Sequence, residues 1–444
     1  MPDAVPATRA KARSAEPATS SAAGERTLWQ MLDERAREQA HAVALRSKQR
    51  GLWRGETWQG WRDGSARIAA ALAQGGVRAG DRVATVLPDE LPWFHAALAA
   101  SMLGCTFVAL PAQARVEQVA HWLELLDCGA LLTQRVDLLS ALKDVRTRVP
   151  KPLLVLSPVA AAEAAAGAAR PAPAAAPTIS AIAVSGEGEI EHASQADLVR
   201  SVATLLGGTA PVRGQHAVIA LDLMRGLAAR LVLPLAHGWV PCLPERDIDL
   251  LATLHDVQPD AVLASAAEWE AHWREVSLRR REAAPLHRRL FDMAMRSAGA
   301  AWSPSGLVWA QLREHLGLRC CRIAVSTGGP VARSIGDGYA ALGLSFLQPD
   351  ASAPPALDSE LRSIPAVRRA HVDRSADGAE LRVELGLDTD AAMRLAAVNG
   401  LDVGDAAGLP SDPSLQQLLL AEVRNCCSRD PTLAGLAVRL HLSA

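Results

Sequence analysis

The segment IAVSGEGEIEHASQADL, residues 182–198, has the outline of a loop that binds phosphate. An apolar run reaches Ser185 and Gly186, and a helical pattern begins near Ser194. Backbone N–H groups at such a junction attract anions. The same segment, however, contains three glutamates and no lysine or arginine. Each glutamate in contact with a phosphate would oppose binding by about 1–4 kcal/mol, depending on the local dielectric. Two interpretations remain, a degraded phosphate loop and an unrelated turn.

A second glycine-containing segment, STGGPVARS, follows an apolar strand and leads into a helical pattern. Adjacent glycines allow backbone N–H groups to approach a ligand closely. The candidate binding residues of this segment are Ser326, Thr327, Gly328, Gly329 and Pro330. The segment is either a residual ligand-binding loop or a strand-to-helix turn kept for packing.

The distribution of lysine limits any chemistry on a bound triphosphate. The chain has four lysines, Lys11, Lys48, Lys143 and Lys151, and none follows position 151. Arginine can replace the charge of a lysine but not its compact ammonium geometry. A phosphate-binding or catalytic lysine is therefore excluded from the rest of the sequence.

Composition places the chain among multidomain globular proteins. It has 444 residues and a formal net charge of −2, which gives no electrostatic argument for binding nucleic acid or an anionic membrane. No apolar stretch is long enough to span a bilayer. Seven cysteines without a C-x-x-C spacing argue against a zinc site or a disulfide framework. They favour reduced thiols and therefore a cytoplasmic location.

Strand and helix patterns alternate along most of the chain. The apolar runs RVATVLP, TFVALP, ALLTQ and PLLVLS predict buried strands, and helical patterns such as ELPWFHAALAASMLG and VEQVAHWLELLD lie between them. The predicted strands HAVIALD, WVPCL, DAVLAS, RIAVST and LSFLQP continue the alternation. Strands separated by helices indicate crossovers and parallel sheets. We therefore predict two α/β halves, in which Met102 and Trp122 are core residues.

Changes in composition predict the domain boundaries. Residues 1–25 are predicted to be a disordered tail, residues 26–350 a large α/β domain, and residues 356–444 a reduced C-terminal α+β domain. The Ala/Pro-rich stretch 158–177 is predicted to be a linker or a surface excursion. Within the C-terminal domain, ALDSELRSI and PSLQQLLLAEVRN predict helices, and AELRVELGL predicts a half-buried strand.

An ordered series of segments resembles the AMP-forming acyl-CoA synthetases, in particular the long-chain fatty-acid–CoA ligase type. The series runs from TLWQMLDERAREQA through GVRAGDRVA and AASMLGC to LPLAHG, APLHRRLFDMAMRSAG, LGLRCCRIAVSTGGPVARS and LDSELRSIPAVRRAHV. The resemblance covers most of residues 26–385, and the order of the segments carries it. It implies the adenylate-forming fold, with two α/β subdomains of parallel-rich sheets and a small α+β C-terminal domain.

The resemblance also implies a reaction and its parts. Enzymes of this family join a carboxylate to AMP from ATP, swing the C-terminal domain and pass the acyl group to CoA. They use a Ser/Thr/Gly-rich phosphate loop with a lysine, a Tyr-Gly-x-Thr-Glu segment, a Thr-Gly-Asp segment and a lysine in the C-terminal domain. ATP with Mg²⁺, and CoA, are thus the implied cofactors wherever the family activity is retained.

Most of these parts are missing here. Ser185 and Gly186 match the start of the phosphate loop and Ser194 matches its end, but the Thr-Thr and Pro-Lys elements between them are absent. No Thr-Gly-Asp occurs, and nothing resembling Tyr-Gly-x-Thr-Glu follows LSFLQPD. The single tyrosine, Tyr339, falls inside a helical pattern. By the resemblance, the chain has also lost a segment between Asp350 and Leu357.

Three functional hypotheses follow. The first is a non-catalytic homologue that binds an acyl chain, an acyl-CoA ligand or an active paralogue. The second is an active acyl-CoA ligase whose missing residues are supplied unusually, for example by a partner. The third is a protein without a selected role. The missing lysines and the three glutamates favour the first, with no catalytic residue and no metal ligand assigned.

Overall fold

The computed structural model describes most of the chain between residues 26 and 443. The described ranges are 26–87, 91–145, 153–174, 180–207, 214–221, 223–244, 250–296, 306–349, 357–375, 380–404, 406–429, 433 and 436–443. The predicted tail at 1–25, positions 175–177 of the Ala/Pro-rich stretch and positions 350–356 lie outside these ranges. The chain divides into two compact units, Met1–Ile248 and Asp249–Ala444.

The first unit alternates strands and helices as predicted. Its helices are α1 (Leu28–Glu38), α2 (Trp58–Gln74), α3 (Leu91–Leu103), α4 (Val116–Leu125), α5 (Val136–Val145), α6 (Pro158–Ala164), α7 (Gln195–Leu206) and α8 (Leu223–Val232). Its strands are β1 (Val43–Gln49), β2 (Leu52–Thr57), β3 (Arg82–Val86), β4 (Thr106–Leu110), β5 (Ala130–Thr133), β6 (Leu154–Leu156), β7 (Ser180–Val184), β8 (Ile190–Ser194), β9 (His216–Ala220) and β10 (Val240–Leu243).

Two parallel-rich sheets organise this unit. One sheet has the order β6-β5-β3-β4-β7-β8 and is parallel except for the β7–β8 hairpin. In the other, β9, β10 and β1 are parallel neighbours and β2 pairs with β1 in the antiparallel sense. The predicted core residues Met102 and Trp122 are buried. Trp122 of α4 packs in one apolar cluster with Val86, Val108 and Leu131 of the first sheet.

The Ala/Pro-rich stretch differs from the predicted linker. Its first seven residues form the helix α6, which packs on α2 and buries Pro158 and Ala161. Alanine has the highest helix propensity, and Pro158 occupies the first turn, where a missing N–H has no cost. Low complexity therefore concealed a short helix that contributes to the packing of the unit.

The second unit contains three parallel strands and a separate small sheet. Its helices are α9 (Leu250–Val257), α10 (Ala266–Glu282), α11 (Pro285–Arg296), α12 (Gly306–His315), α13 (Arg333–Ala341), α14 (Leu357–Arg362), α15 (Thr389–Val398) and α16 (Pro413–Ser428). Its strands are β11 (Ala261–Ser265), β12 (Ile323–Thr327), β13 (Phe346–Leu347), β14 (Val367–Arg374), β15 (Glu380–Leu387) and β16 (Ala437–Ser443). Strands β11, β12 and β13 are parallel neighbours, and β14-β15-β16 form the small C-terminal sheet. The predicted alternation of β15 is confirmed by its burial pattern.

The long helix α10 holds the C-terminal sheet region through a buried ionic contact. Glu270 of α10 is fully buried, and its carboxylate accepts hydrogen bonds from Arg362 Nε at 2.7 Å and from Ser359 Oγ at 2.6 Å. Leu278 of the same helix belongs to the apolar core of the C-terminal sheet. Further along, Arg394 of α15 contacts Glu275 at 2.9 Å. Charge pairing and apolar packing thus fix α14 and α15 on α10.

The buried pair predicts a large effect of one substitution. Arg362→Ala would leave the Glu270 carboxylate buried without its cationic partner, so we expect the free energy of unfolding to fall by about 3 kcal/mol. Urea denaturation monitored by tryptophan fluorescence measures this loss. Arg439→Ala is the matched control, because Arg439 is 71% exposed in its pair with Glu380. Its expected loss is below about 0.5 kcal/mol. Equal losses for the two variants would contradict the assigned importance of Glu270.

Candidate functional site

The predicted phosphate loop is a tight turn that uses its own amide groups. The Ser185 N–H donates to the Glu189 carbonyl at 2.9 Å, and the Gly188 N–H donates to the Ser185 carbonyl at 3.0 Å. The Glu189 N–H donates to Ser185 Oγ at 2.9 Å. Gly188 has a φ of 89°, which makes it the glycine that this turn requires, whereas Gly186 has no positive φ. Three amides that could have faced a phosphate are therefore already bonded within the turn.

The structure separates the two ends of the predicted loop. Residues 190–194 form the strand β8, in which Ile190 pairs with Val184 and Ser194 pairs with Ser180. Ser194 thus lies roughly 13 Å along the hairpin from the turn that contains Ser185. The expected loop over 185–194 is wrong in this respect. The strand was missed because β8 is an edge strand with only one buried residue, so it lacks an apolar run.

Ser194 begins the helix α7 in place of contacting a ligand. Its Oγ accepts a hydrogen bond from the Asp197 N–H at 3.2 Å, and its own N–H donates to Asp197 Oδ2 at 3.0 Å. This reciprocal arrangement is a capping box. The hydrogen bond from the Ser194 hydroxyl to this carboxylate, together with that from the Ser194 N–H, lowers the pKa of Asp197. The start of α7 therefore already carries a carboxylate.

The start of the neighbouring helix α8 is occupied in a similar way. Glu191 projects from β8, and its Oε2 accepts a hydrogen bond from the Met224 N–H at 3.1 Å. Met224 lies in the first turn of α8, where N–H groups have no partner within the helix. Anions bind favourably at such positions. One of the three glutamates of the segment thus acts as an internal anion.

The second glycine segment, in the other unit, connects β12 to α13 as predicted. Ser326 and Thr327 are buried in β12, so their side chains face the core. Gly328 and Gly329 have φ values of 78° and 124°, and a Cβ at either position would meet no atom within 4 Å. Pro330 follows and is half-buried. The glycines therefore allow the positive φ angles of an open turn, and they are not needed to make room for close packing.

A carboxylate also occupies the start of α13. Glu360 accepts a hydrogen bond from the Arg333 N–H through Oε1 and from Ser334 Oγ through Oε2, the latter at 2.8 Å. The Val331 N–H donates to Gln348 Oε1 at 3.2 Å. The amide groups that lead into this helix are thus paired with side chains of the same chain.

Tyr339 is a core residue of the second unit. It lies in α13, is fully buried, and its hydroxyl group contacts His272 Nδ1. Its ring packs edge-on against Trp269, whose Nε1–H donates to the Val325 carbonyl at 2.9 Å. Burial raises the pKa of Tyr339 well above its ordinary value. Both aromatic residues therefore stabilise the packing of α10 and α13 on β12.

A crevice that sequence reasoning missed opens at one edge of the six-stranded sheet. It has a volume of about 330 Å³ and is lined by Val86, Ala112, Gln113, Gln134 and Arg135, which end or follow β3, β4 and β5. In the sheet order, β3 lies between β5 and β4, so the chain leaves β3 and β5 in opposite directions. Crevices at such a switch point, outside the carboxyl ends of parallel strands, are the usual ligand sites of open α/β sheets.

Arg135 supplies the charged group of the crevice. Its Nη1 donates to the Ala112 carbonyl at 3.1 Å and its Nε donates to Asp137 Oδ1 at 3.2 Å. The hydrogen bond from Arg135 lowers the pKa of Asp137. The guanidinium is thus held in place at the rim, beside the exposed amide side chains of Gln113 and Gln134. The strand order that brings these residues together is not visible in the sequence.

A second cleft, of about 420 Å³, lies between α2, α3 and α6 of the same unit. His95 lines it, and its Nε2 is buried without a hydrogen-bond partner among the described residues. Burial and the nearby charge of Arg67 lower the pKa of His95 to about 4. The imidazole is therefore neutral at pH 7 and is not a general acid.

A metal site, a reactive thiol and a membrane-spanning helix each place their own requirements on the described part of the chain. No group of three or more His, Cys, Asp or Glu side chains there could hold a metal ion. None of the seven cysteines forms a disulfide, and burial raises the pKa of the Cys105, Cys128 and Cys321 thiols to about 12. These three thiols are therefore protonated and weak as nucleophiles. Among the described helices, none has both the length and the apolar character that a membrane crossing needs.

Sequence comparison finds one similarity to a protein family. Residues 32–204 match the family model of the AMP-binding enzymes. No curated protein sequence matches the chain.

Solved structures resemble the whole chain. The A domain of a carboxylic acid reductase from Segniliparus rugosus, in complex with AMP and a co-purified carboxylic acid, matches 95% of this chain and 89% of its own, with a TM-score of 0.66 and 13% identity. The adenylation domain of a carboxylate reductase from Mycobacterium chelonae matches 94% of this chain and 86% of its own, with a TM-score of 0.65 and 15% identity. An anthranilate CoA ligase in complex with anthranoyl-AMP matches 94% of this chain and 93% of its own, with a TM-score of 0.65 and 12% identity.

The predicted fold class is thereby confirmed. Parallel-rich α/β sheets are followed by a small C-terminal sheet, as in these adenylate-forming proteins. Residues 32–204 are therefore similar in sequence to the AMP-binding enzymes, and the chain as a whole has the fold of the adenylate-forming enzymes.

Proposed function

We propose that this protein is a catalytically inactive homologue of the long-chain fatty-acid–CoA ligases, which binds an acyl or acyl-CoA ligand without activating it. The observation that carries the proposal is the set of internal carboxylates at helix starts. Asp197 occupies the start of α7, Glu191 that of α8 and Glu360 that of α13. These helices adjoin the two segments in which a phosphate or an adenylate would be expected.

ATP does not fit the turn between β7 and β8. A triphosphate needs free N–H groups and a cation, because it brings several negative charges. The turn has three internally bonded amides, and its exposed side chains include Glu187 and Glu189. The sequence supplies no lysine beyond Lys151 to compensate. No adenylation step is therefore assigned to this chain.

The attachment of the C-terminal sheet region also supports a non-catalytic role. A family mechanism in which this region swings would require the contacts on α10 to break. Glu270 would then lose its hydrogen bonds from Ser359 and Arg362, and Glu275 would lose Arg394. Separating a buried ion pair is costly, at about 3–5 kcal/mol. The region is thus better suited to a single fixed arrangement.

The crevice at the sheet edge is our proposed site for the charged end of an acyl-CoA ligand. It combines the positioned Arg135 with two amide side chains, at a place where open α/β sheets bind ligands. An active paralogue is the proposed protein partner, because a binding protein without its own chemistry needs an enzyme that makes or uses the ligand. The seven free cysteines fit the reducing cytoplasm in which we expect it.

The proposal predicts no turnover. With ATP, Mg²⁺ and palmitate, the purified protein should release pyrophosphate no faster than a sample without protein. A coupled pyrophosphate assay measures this rate. The variant Gly328→Ala/Gly329→Ala identifies contaminating activity, which it leaves unchanged. Turnover above background that disappears in this variant would show an active ligase and would contradict the proposal.

The proposal also predicts ligand binding without chemistry. Titration calorimetry should detect palmitoyl-CoA binding, and Gln113→Glu/Gln134→Glu should weaken it at least about fivefold, because two carboxylates would then face the ligand phosphates. The control Gln74→Glu/Gln417→Glu makes the same charge change at exposed positions away from the crevice.

Each outcome of this titration has a separate meaning. Equal weakening by both variants would show that the crevice is not the site. Failure of palmitoyl-CoA, palmitate and a non-hydrolysable acyl-AMP analogue to bind would contradict the ligand-binding function itself.

A further inference from the structure

The helix α11 leaves an apolar face open to solvent. Leu286 is 65% exposed and Met293 is 48% exposed, which is unusual for large apolar side chains. Leu290 lies between them and is half-buried. Residues spaced by three and four positions share one side of a helix, so these three side chains form a single apolar stripe.

Contacts with the end of α10 define which side of α11 is inward. Arg280 lies over the ring of Phe291, with 5.7 Å between the guanidinium carbon and the ring centroid. It also donates to Asp292 Oδ1 at 2.7 Å through Nε. At about 100° per residue, Leu286 and Met293 point well away from both Phe291 and Asp292. The apolar stripe is therefore on the opposite side of the helix from its ionic contact with α10.

Two unpaired basic side chains lie on the same helix, Arg289 about 60° around the axis from Leu286 and Arg288 about 160° away, on the polar side. Arg288 and Arg289 are exposed, and neither has an ion pair or hydrogen bond among the residues that the structure describes. The nearby arginines of α10 differ, because Arg279, Arg280 and Arg281 each have a carboxylate partner. The acidic groups closest to α11 along the chain, Glu282 and Asp292, are paired with Arg394 and Arg280 respectively. The local surface is thus basic although the whole chain has a net charge of −2.

We propose that α11 docks this protein on an anionic lipid surface. A helix with an apolar stripe and basic residues on its polar side lies in the membrane interface, with the stripe among the acyl chains and the arginines near anionic headgroups. The net charge of the chain gave no reason to expect this, because a net charge does not report a local arrangement. The proposed partner is a lipid surface. The observations on α11 that support it do not depend on the ligand binding or the inactivity proposed above.

The test is cosedimentation of the full chain with extruded vesicles. We expect binding to vesicles of phosphatidylcholine with 30% phosphatidylglycerol, and at least tenfold weaker binding to pure phosphatidylcholine or in 0.5 M NaCl. The variant Leu286→Glu/Arg289→Glu should bind at least about tenfold more weakly than the parent, since it loses both the apolar and the basic contribution.

A matched control separates the helix from the general charge of the protein. Leu52→Glu/Arg54→Glu makes the same two changes on β2, where Leu52 is also 65% exposed. It should bind vesicles as the parent does. Equal losses in the two variants, or no binding of the parent to anionic vesicles, would overturn the proposal. Self-association detected by light scattering that the α11 variant alone removes, without vesicle binding, would show a protein interface and would also overturn it.

Discussion

The amide groups that begin a helix have no partner within that helix, and this constraint shapes both glycine-containing segments in which a phosphate was expected. At the starts of α7, α8 and α13, amide groups donate hydrogen bonds to side-chain carboxylates, which belong to Asp197, Glu191 and Glu360 respectively. Each carboxylate satisfies an N–H group and is stabilised by the positive end of the helix dipole. The same two factors attract phosphate, so an internal carboxylate and an external phosphate compete for one position.

This competition favours the internal group. A carboxylate on the same chain is always present at its helix start, whereas a ligand must be gathered from solution and lose its freedom of motion. A phosphate that enters beside an undisplaced carboxylate meets repulsion of about 1–4 kcal/mol. The short turn between β7 and β8 reinforces the effect, because its amides already close the hairpin. In the proposed function, the stability of the fold and the loss of phosphate binding thus have one cause.

The second unit shows the same preference for internal pairing. Glu270, fully buried on α10, is satisfied by Ser359 and Arg362, and the apolar core of the C-terminal sheet continues onto Leu278. Such contacts favour one arrangement of the sheet region. The open features of the described chain lie elsewhere, at the crevice beside Arg135 and on the outer face of α11.

The sequence by itself determined the fold class and most of the strands and helices. Buried strands such as β3 and β5 have apolar runs, and β15 alternates with period two, so local patterns report them directly. The absence of lysine beyond Lys151 needs no structure at all. Only the tertiary structure decided the edge strand β8, the helix α6, and the pairing of Glu191 with Met224 and of Glu360 with Arg333. An edge strand and an Ala-rich helix bury too few side chains to leave a pattern. Contacts between residues 27 or 33 positions apart depend on how the elements pack, which no local spacing encodes.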